Sequence, residues 1–203
     1  MVRSMFRVWL AVGLLAVGVG CSDDAPDPTF SDVATSSATV PGEWVGLILD
    51  LTRTTPGYTP PVASRTFGYA GTALYEALLP GMPAKPELAG QLNGFQAPPK
   101  PESGDRYHWP TVANSALATM ARLFYPTTSQ ANKDAIDDLE AEILAGFAGA
   151  VDAAVLERSV SRGRAVANHV YAWSVSDGGH EGWTRNFPAD YTPPVGAGLW
   201  VPT

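Results

Sequence analysis

One cysteine in 203 residues leaves no intramolecular disulfide and no thiolate zinc site, both of which need at least two thiols. Basic residues are scarce too: 13 Lys and Arg stand against 20 Asp and Glu, for a formal charge of -7, and nowhere do five basic residues cluster. The electrostatic footprint of nucleic-acid binding is therefore missing, and no nucleic-acid partner is expected. Only three histidines occur, His108, His169 and His180, and none stands in a His-Glu-x-x-His or other two-ligand helical spacing, so no zinc-hydrolase centre is expected. There is no Gly-x-Ser-x-Gly elbow and no phosphate-loop or dinucleotide glycine fingerprint. No stretch alternates at period two and no internal repeat is visible, which removes the sheet-based architectures.

What is present begins with an N-terminal processing pattern. Arg3 and Arg7 precede Val8 to Gly20, a run of 13 apolar or glycine residues ending at Cys21. As a helix that run would rise only about 20 Å, short of a hydrocarbon core about 30 Å thick, so an export signal over 1–20 fits better than a permanent span. The pattern resembles a bacterial lipoprotein signal, with Gly18 standing where that class usually has Leu. The resemblance implies a lipid on Cys21 and an exported protein anchored in the cell envelope. Ser22, not Asp, follows the cysteine, and in a Gram-negative host the resemblance to known lipoproteins then implies the outer membrane or the periplasmic side of the envelope. Residues 21–41 hold almost no large apolar side chain, cannot offset the entropy of their own ordering, and read as a flexible tether.

From residue 42 to 203 the apolar residues fall at helical spacing, and the expected fold class is an all-α helical bundle. Trp44, Leu47, Ile48 and Leu51 share one stripe of a first helix that stops near Thr54, because Thr55 precedes Pro56-Gly57. Pro60-Pro61 opens a second helix carrying Phe67, Ala70, Leu74, Ala77 and Leu78 and ending at Leu79-Pro80-Gly81. Seven prolines between 80 and 110 mark a long surface excursion, with room for one helical turn near Glu87 to Leu92. A third helix is expected over 110–124, a fourth over 129–147 with an acidic outer face, and a fifth over 152–174 in which Gly163 permits a close crossing. Residues 180–203 read as an aromatic-rich loop.

Candidate chemistry is sparse. Asp177, His180 and Glu181 could hold a cation, although a helix-ending turn explains them as well. Asp134, Asp137, Asp138, Glu140 and Glu142 read as a solvated helix face. Arg162, Arg164 and His169 are the one basic group at helical spacing, with Arg162 and His169 seven apart and so on one face. No catalytic, cofactor-binding or metal-binding residue is assigned from these patterns.

Several segments together resemble the N-terminal half of vanadium-dependent haloperoxidase-like proteins of the type-2 phosphatidic acid phosphatase superfamily. They are the helix with Trp44, TPPVASR at 59–65, YAGTALYEA at 69–77, GRAVANHVYAWSVSDG at 163–178 and VGAGLWVPT at 195–203. The resemblance runs from Glu43 to Thr203 and rests on scaffold patterns. It implies an all-helical fold whose oxyanion site, for vanadate or phosphate, is built from Lys-x6-Arg-Pro, Pro-Ser-Gly-His and Ser-Arg-x5-His motifs. Such a site needs cationic forks and backbone N–H groups around a tetrahedral anion.

This chain contains none of the three motifs. Lys100 to Arg106 is one residue short and is followed by Tyr107, and Ser161-Arg162 to His169 is one residue long. Both are read as coincidence. The expectation is thus an incomplete scaffold over 42–203, with no cofactor of its own, whose missing C-terminal half would supply the site and bind vanadate in a full-length enzyme. A homo-oligomer is compatible with this reading. The competing expectation is a non-enzymatic surface lipoprotein that binds a partner through the proline-rich excursion and the C-terminal loop.

Overall fold

The computed structural model describes residues 33–82, 84–101, 105–186 and 190–199. Five helices dominate: α1 (Thr39–Thr54), α2 (Pro60–Leu78), α3 (Trp109–Phe124), α4 (Gln130–Phe147) and α5 (Ala153–Ser174). Among the described residues there is no strand, only one isolated bridge between Ala148 and Val151. The all-α expectation is met. No helix of the described residues is long and apolar enough to cross a membrane.

Local chemistry sets the helix limits. Ser129 Oγ accepts from the Asn132 amide at the start of α4, and the Asp152 carboxylate accepts from the Ala154 and Val155 amides at the start of α5. Each cap satisfies amides that have no partner inside the helix. α2 opens on Pro60-Pro61, where a missing N–H costs nothing. α1 ends where Thr55 turns extended before Pro56, and Gly57 then adopts φ +91° beneath the Trp183 carbonyl.

α3 lies at the centre and packs most extensively on α5, then on α2, α4 and α1. Its sequence reads Val, Ala, Asn, Ser, Ala, Leu, Ala across 112–118, and every one of these residues is buried. Small side chains on all sides let four helices approach it. The closest approach is at Gly163 of α5, where an added Cβ would sit 2.5 Å from the Val112 carbonyl oxygen and 2.8 Å from the Ala116 nitrogen. The expected close crossing is therefore a backbone-on-backbone contact. Trp44, Ile48 and Leu51 bring α1 onto this centre, with Trp44 and Leu51 fully buried.

Three expectations need correction. The tether does not extend to residue 41: α1 already begins at Thr39, whose amide donates to Ser37 Oγ at 3.1 Å, and Val40 is buried. Val33–Thr35 forms a 3-10 turn, and Val33 packs on Gly81 beside Trp109. The signal over 1–20, Cys21 and the tether up to residue 32 lie outside the described residues.

The excursion after α2 is not simply a surface loop, because Phe95 and Tyr107 are buried and Leu88 and Leu92 pack on the core. It opens on a 3-10 turn at Leu79–Gly81, and near the expected helical turn a single bond runs from Leu92 N to Leu88 O at 3.1 Å. In the C-terminal loop, Gly182–Thr184 makes a 3-10 turn and Trp183 stacks on Tyr58 at 5.8 Å, which stacks on Tyr125 at 4.5 Å. Aromatic area supplies in these connections the burial that their periodicity does not display.

Candidate functional site

The basic group on α5 separates into two jobs. Arg162 is 9 % exposed, and its guanidinium donates to the Ala77 carbonyl at 3.1 Å, the Pro99 carbonyl at 3.2 Å and the Glu76 carbonyl at 3.3 Å. Glu76 and Ala77 belong to the last turn of α2, whose carbonyls carry the negative end of the helix dipole. Burial pulls the Arg162 pKa below its ordinary value, opposed by the nearby Tyr107 and Glu76. His169 Nε2 bonds the Gln96 carbonyl at 2.8 Å, and its ring meets Phe95 edge-on. Arg162 and His169 thus do share a face, and that face clamps the 95–99 segment. Arg164 points elsewhere, 3.7 Å from Glu140 of α4.

The two near-miss segments are brought side by side. Lys100, Ser161 and Arg162 line one open recess of about 420 Å³ together with Arg158, Asp105 and Tyr107. Its cations have other occupations: Lys100 lies 3.9 Å from Glu87, Arg158 lies 3.4 Å from Asp105 and donates to the Arg106 carbonyl, and Arg162 holds α2.

The Asp177 group is a latch. Asp177 receives Arg65 Nε at 2.7 Å, Arg65 Nη2 at 3.2 Å, the Tyr69 hydroxyl at 2.8 Å and the Gly179 amide at 2.7 Å. Arg65 also donates to the Ser174 carbonyl at the end of α5, 2.6 Å, and lies over the Tyr69 ring at 4.9 Å. Burial alone would raise the Asp177 pKa, but the bonds from Arg65, Tyr69 and Gly179 outweigh it and hold the carboxyl below its ordinary value. Tyr69 is pushed up to about 12 by burial and by its bond to that carboxylate. With its acceptor sites occupied, Asp177 is not free to join His180 and Glu181 around a cation. Among the described residues no group of three or more His, Cys, Asp or Glu is placed to hold a metal ion.

His108 precedes α3 and is buried, with Nδ1 2.8 Å from Thr111 Oγ1 and the ring 4.5 Å from that of Phe147. Burial lowers its pKa. On α4, part of the acidic face is engaged and not merely solvated: Arg122 Nη2 reaches both Asp137 and Glu140 at 2.6 Å.

Sequence reasoning missed three features. One is the Arg65–Asp177 latch. Another is the buried bond from Trp44 Nε1 to Asn114 Oδ1, 2.7 Å, whose amide continues to the Glu140 carbonyl. The signal for it was Asn114 itself, an amide set among apolar helical positions. The third is a pocket of about 510 Å³ between the start of α1 and the end of α4. Comparison with protein-family profiles, curated proteins and solved structures finds no match for this chain.

Proposed function

We propose that residues 42–203 act as the N-terminal scaffold of a haloperoxidase-like or phosphatase-like helical enzyme, whose oxyanion-binding residues come from helices outside this segment. One observation supports the reading most directly. α1 exposes Gly42, Val45, Gly46 and Leu49 at i, i+3, i+4 and i+7, with Val45 46 % and Leu49 48 % exposed. α2 likewise exposes Gly68 and Gly71, and a Cβ at any of these four glycines would meet nothing within 4 Å. Each glycine in an exposed helix interior costs about 1 kcal/mol relative to alanine, so its use twice in each of two helices needs a reason. Close approach of further helices provides one, as Gly163 does for α3.

In this reading Arg162, His169 and Arg65 keep the scaffold rigid while the incoming helices bring Lys, Arg and His to the anion. The chemistry would be halide oxidation by hydrogen peroxide on bound vanadate, or phosphate-ester hydrolysis through a covalent histidine intermediate. The test is to sequence the gene past the Thr203 codon and the neighbouring reading frames. Lys-x6-Arg-Pro, Pro-Ser-Gly-His and Ser-Arg-x5-His motifs are expected there, and their absence sinks the reading. At protein level, Gly46→Leu should leave the isolated chain folded and block assembly with the catalytic half. The 203-residue chain alone should be silent in phosphate-ester and vanadate-peroxide-bromide assays. Activity that disappears in both Arg162→Ala and His169→Ala would overturn the scaffold assignment.

A second reading, a lipid-anchored binding module, is favoured by the exposed apolar side chains Tyr191, Val195 and Leu199. A sharp, dye-silent melt of residues 22–203 would support it over an incomplete bundle. Both readings place the protein in the cell envelope through Cys21, and Cys21→Ala should release it from the membrane fraction. Retention of that variant without attached lipid would contradict the anchor.

A further inference from the structure

The pocket between α1 and α4 has a different character from the recesses around Arg162. Its volume, about 510 Å³, lies in the range of small-molecule sites, and its wall is mainly apolar, from Val40, Leu139, Ile143 and Phe147. Glu43 on α1 and Glu142 on α4 both line it, and both are exposed to solvent. Among the described residues no basic side chain lines it. Among the described residues, neither carboxylate has an ion-pair or hydrogen-bonding partner, whereas Asp137 and Glu140 on the same helix are both engaged by arginine.

His108 packs behind Phe147, where burial favours its neutral form, so it adds no opposing positive charge at neutral pH. The Ser37 and Thr39 hydroxyls at the α1 end bond each other at 2.6 Å. The polar character facing a ligand is therefore set by the two carboxylates.

We infer that this pocket binds a small organic cation, an ammonium group on an apolar body, with the body on the Val40–Ile143–Phe147 wall and the charge at the carboxylates of Glu43 and Glu142. An anion would face two uncompensated negative charges. A neutral apolar molecule would fill the wall and leave the carboxylates unpartnered. A fully hydrated small cation would gain from the charges and nothing from the wall. Only a molecule with both parts uses what is there.

The experiment is calorimetric or ligand-observed NMR titration of the whole chain with hexyltrimethylammonium, beside tetramethylammonium, hexanol and hexanesulfonate. Saturable binding of hexyltrimethylammonium at about 1 mM or tighter is expected, given its ten heavy atoms, with the three controls at least about tenfold weaker. The Glu43→Gln/Glu142→Gln double variant should lose about tenfold in affinity, and added salt should weaken the parent in the same direction. Gly146→Leu supplies an independent block: Gly146 lines the pocket and has open space at its Cβ, so the variant folds and fills the opening. No binding, equal binding of hexanol, or unchanged affinity in either variant would overturn the inference.

Discussion

The α3–α5 crossing and the excursion from 80 to 108 lie against the same helix and are held by opposite means. At the crossing, Gly163 meets Val112 and Ala116 backbone to backbone, and the one prominent side-chain bond, Ser115 Oγ to the Val160 carbonyl at 2.9 Å, only tightens it. In the excursion the chain has little regular structure, and α5 reaches out to it with Arg162, His169 and Trp173, donating to the Pro99, Gln96 and Asn93 carbonyls. Close packing leaves no room to adjust. Side-chain staples on carbonyls can be removed one at a time. The crossing should therefore fail as a unit and the excursion piecemeal.

Gly163→Val tests the first half and should have the largest effect. Its Cβ would lie against main-chain atoms at 2.5 and 2.8 Å, which cannot swing aside as a flexible side chain would. A loss of about 3 kcal/mol or more is expected in urea or thermal unfolding. A variant that melts with the parent would show that the helices can part at little cost.

Arg162→Met comes next. It leaves the Glu76, Ala77 and Pro99 carbonyls without their donor, and a loss of about 2 kcal/mol is expected. Amide exchange should quicken in residues 95–101 and the last turn of α2 while α3 stays protected. Uniform quickening would mean that the staple belongs to the global core.

Acid should dissect the molecule in two windows. Burial depresses the His108 pKa below 6.5, so the unfolded chain binds the extra proton first, and stability full above 6.5 declines as pH falls below it. The Asp177 carboxyl is depressed below 3.8 in the fold. The latch contribution is therefore present above 3.8 and lost as pH falls through the lower folded value. Melting temperature against pH should show the upper limb flattened in His108→Gln and the lower limb flattened in Asp177→Asn. Loss of both limbs in one variant would show that the two sites are coupled.

His169→Ala should matter least, about 0.5–1 kcal/mol, because it removes a single bond to Gln96 and an edge contact to Phe95. Exchange should rise locally around Phe95. A global effect as large as that of Arg162→Met would erase the distinction between staple and core.

These experiments bear on elements that were unequally visible in the sequence. The stripe Trp44, Ile48, Leu51 and the stop at Thr55 were legible because helix periodicity and the restriction before proline act within a few residues. The inward face of α2 was less so. Its deepest residues are Ala70, Ala73 and Ala77, together with Thr66 and Glu76, while the larger Phe67, Leu74 and Leu78 stand at the flanks. The apolar stripe took in Ala70 and Ala77 beside the flanking Phe67, Leu74 and Leu78 but left out Ala73, Thr66 and Glu76, because the crowding at α3 selects small residues for the centre. The excursion was misjudged for a related reason: Phe95 and Tyr107 are isolated aromatics without period, and their burial depends on what they fold against. At the candidate sites, the pairing of Arg162 with His169 on one face followed from their spacing, but their targets did not.

The sequence by itself determined the five helices of the described residues, the starts of the fourth and fifth at 129 and 152, and the glycine that marks the tightest crossing, because each is a local consequence of main-chain bonding, conformational freedom or side-chain size. Only the tertiary structure decided the partners of the polar groups. Arg65 finds Asp177 across 112 residues, Trp44 finds Asn114 across 70, and Arg162 finds Pro99 across 63. Buried donors and charges must be satisfied by whatever the packing brings within reach, and no local pattern encodes that neighbour. For the same reason Glu43 and Glu142, 99 residues apart in the chain, come to line one pocket only when α1 and α4 are packed.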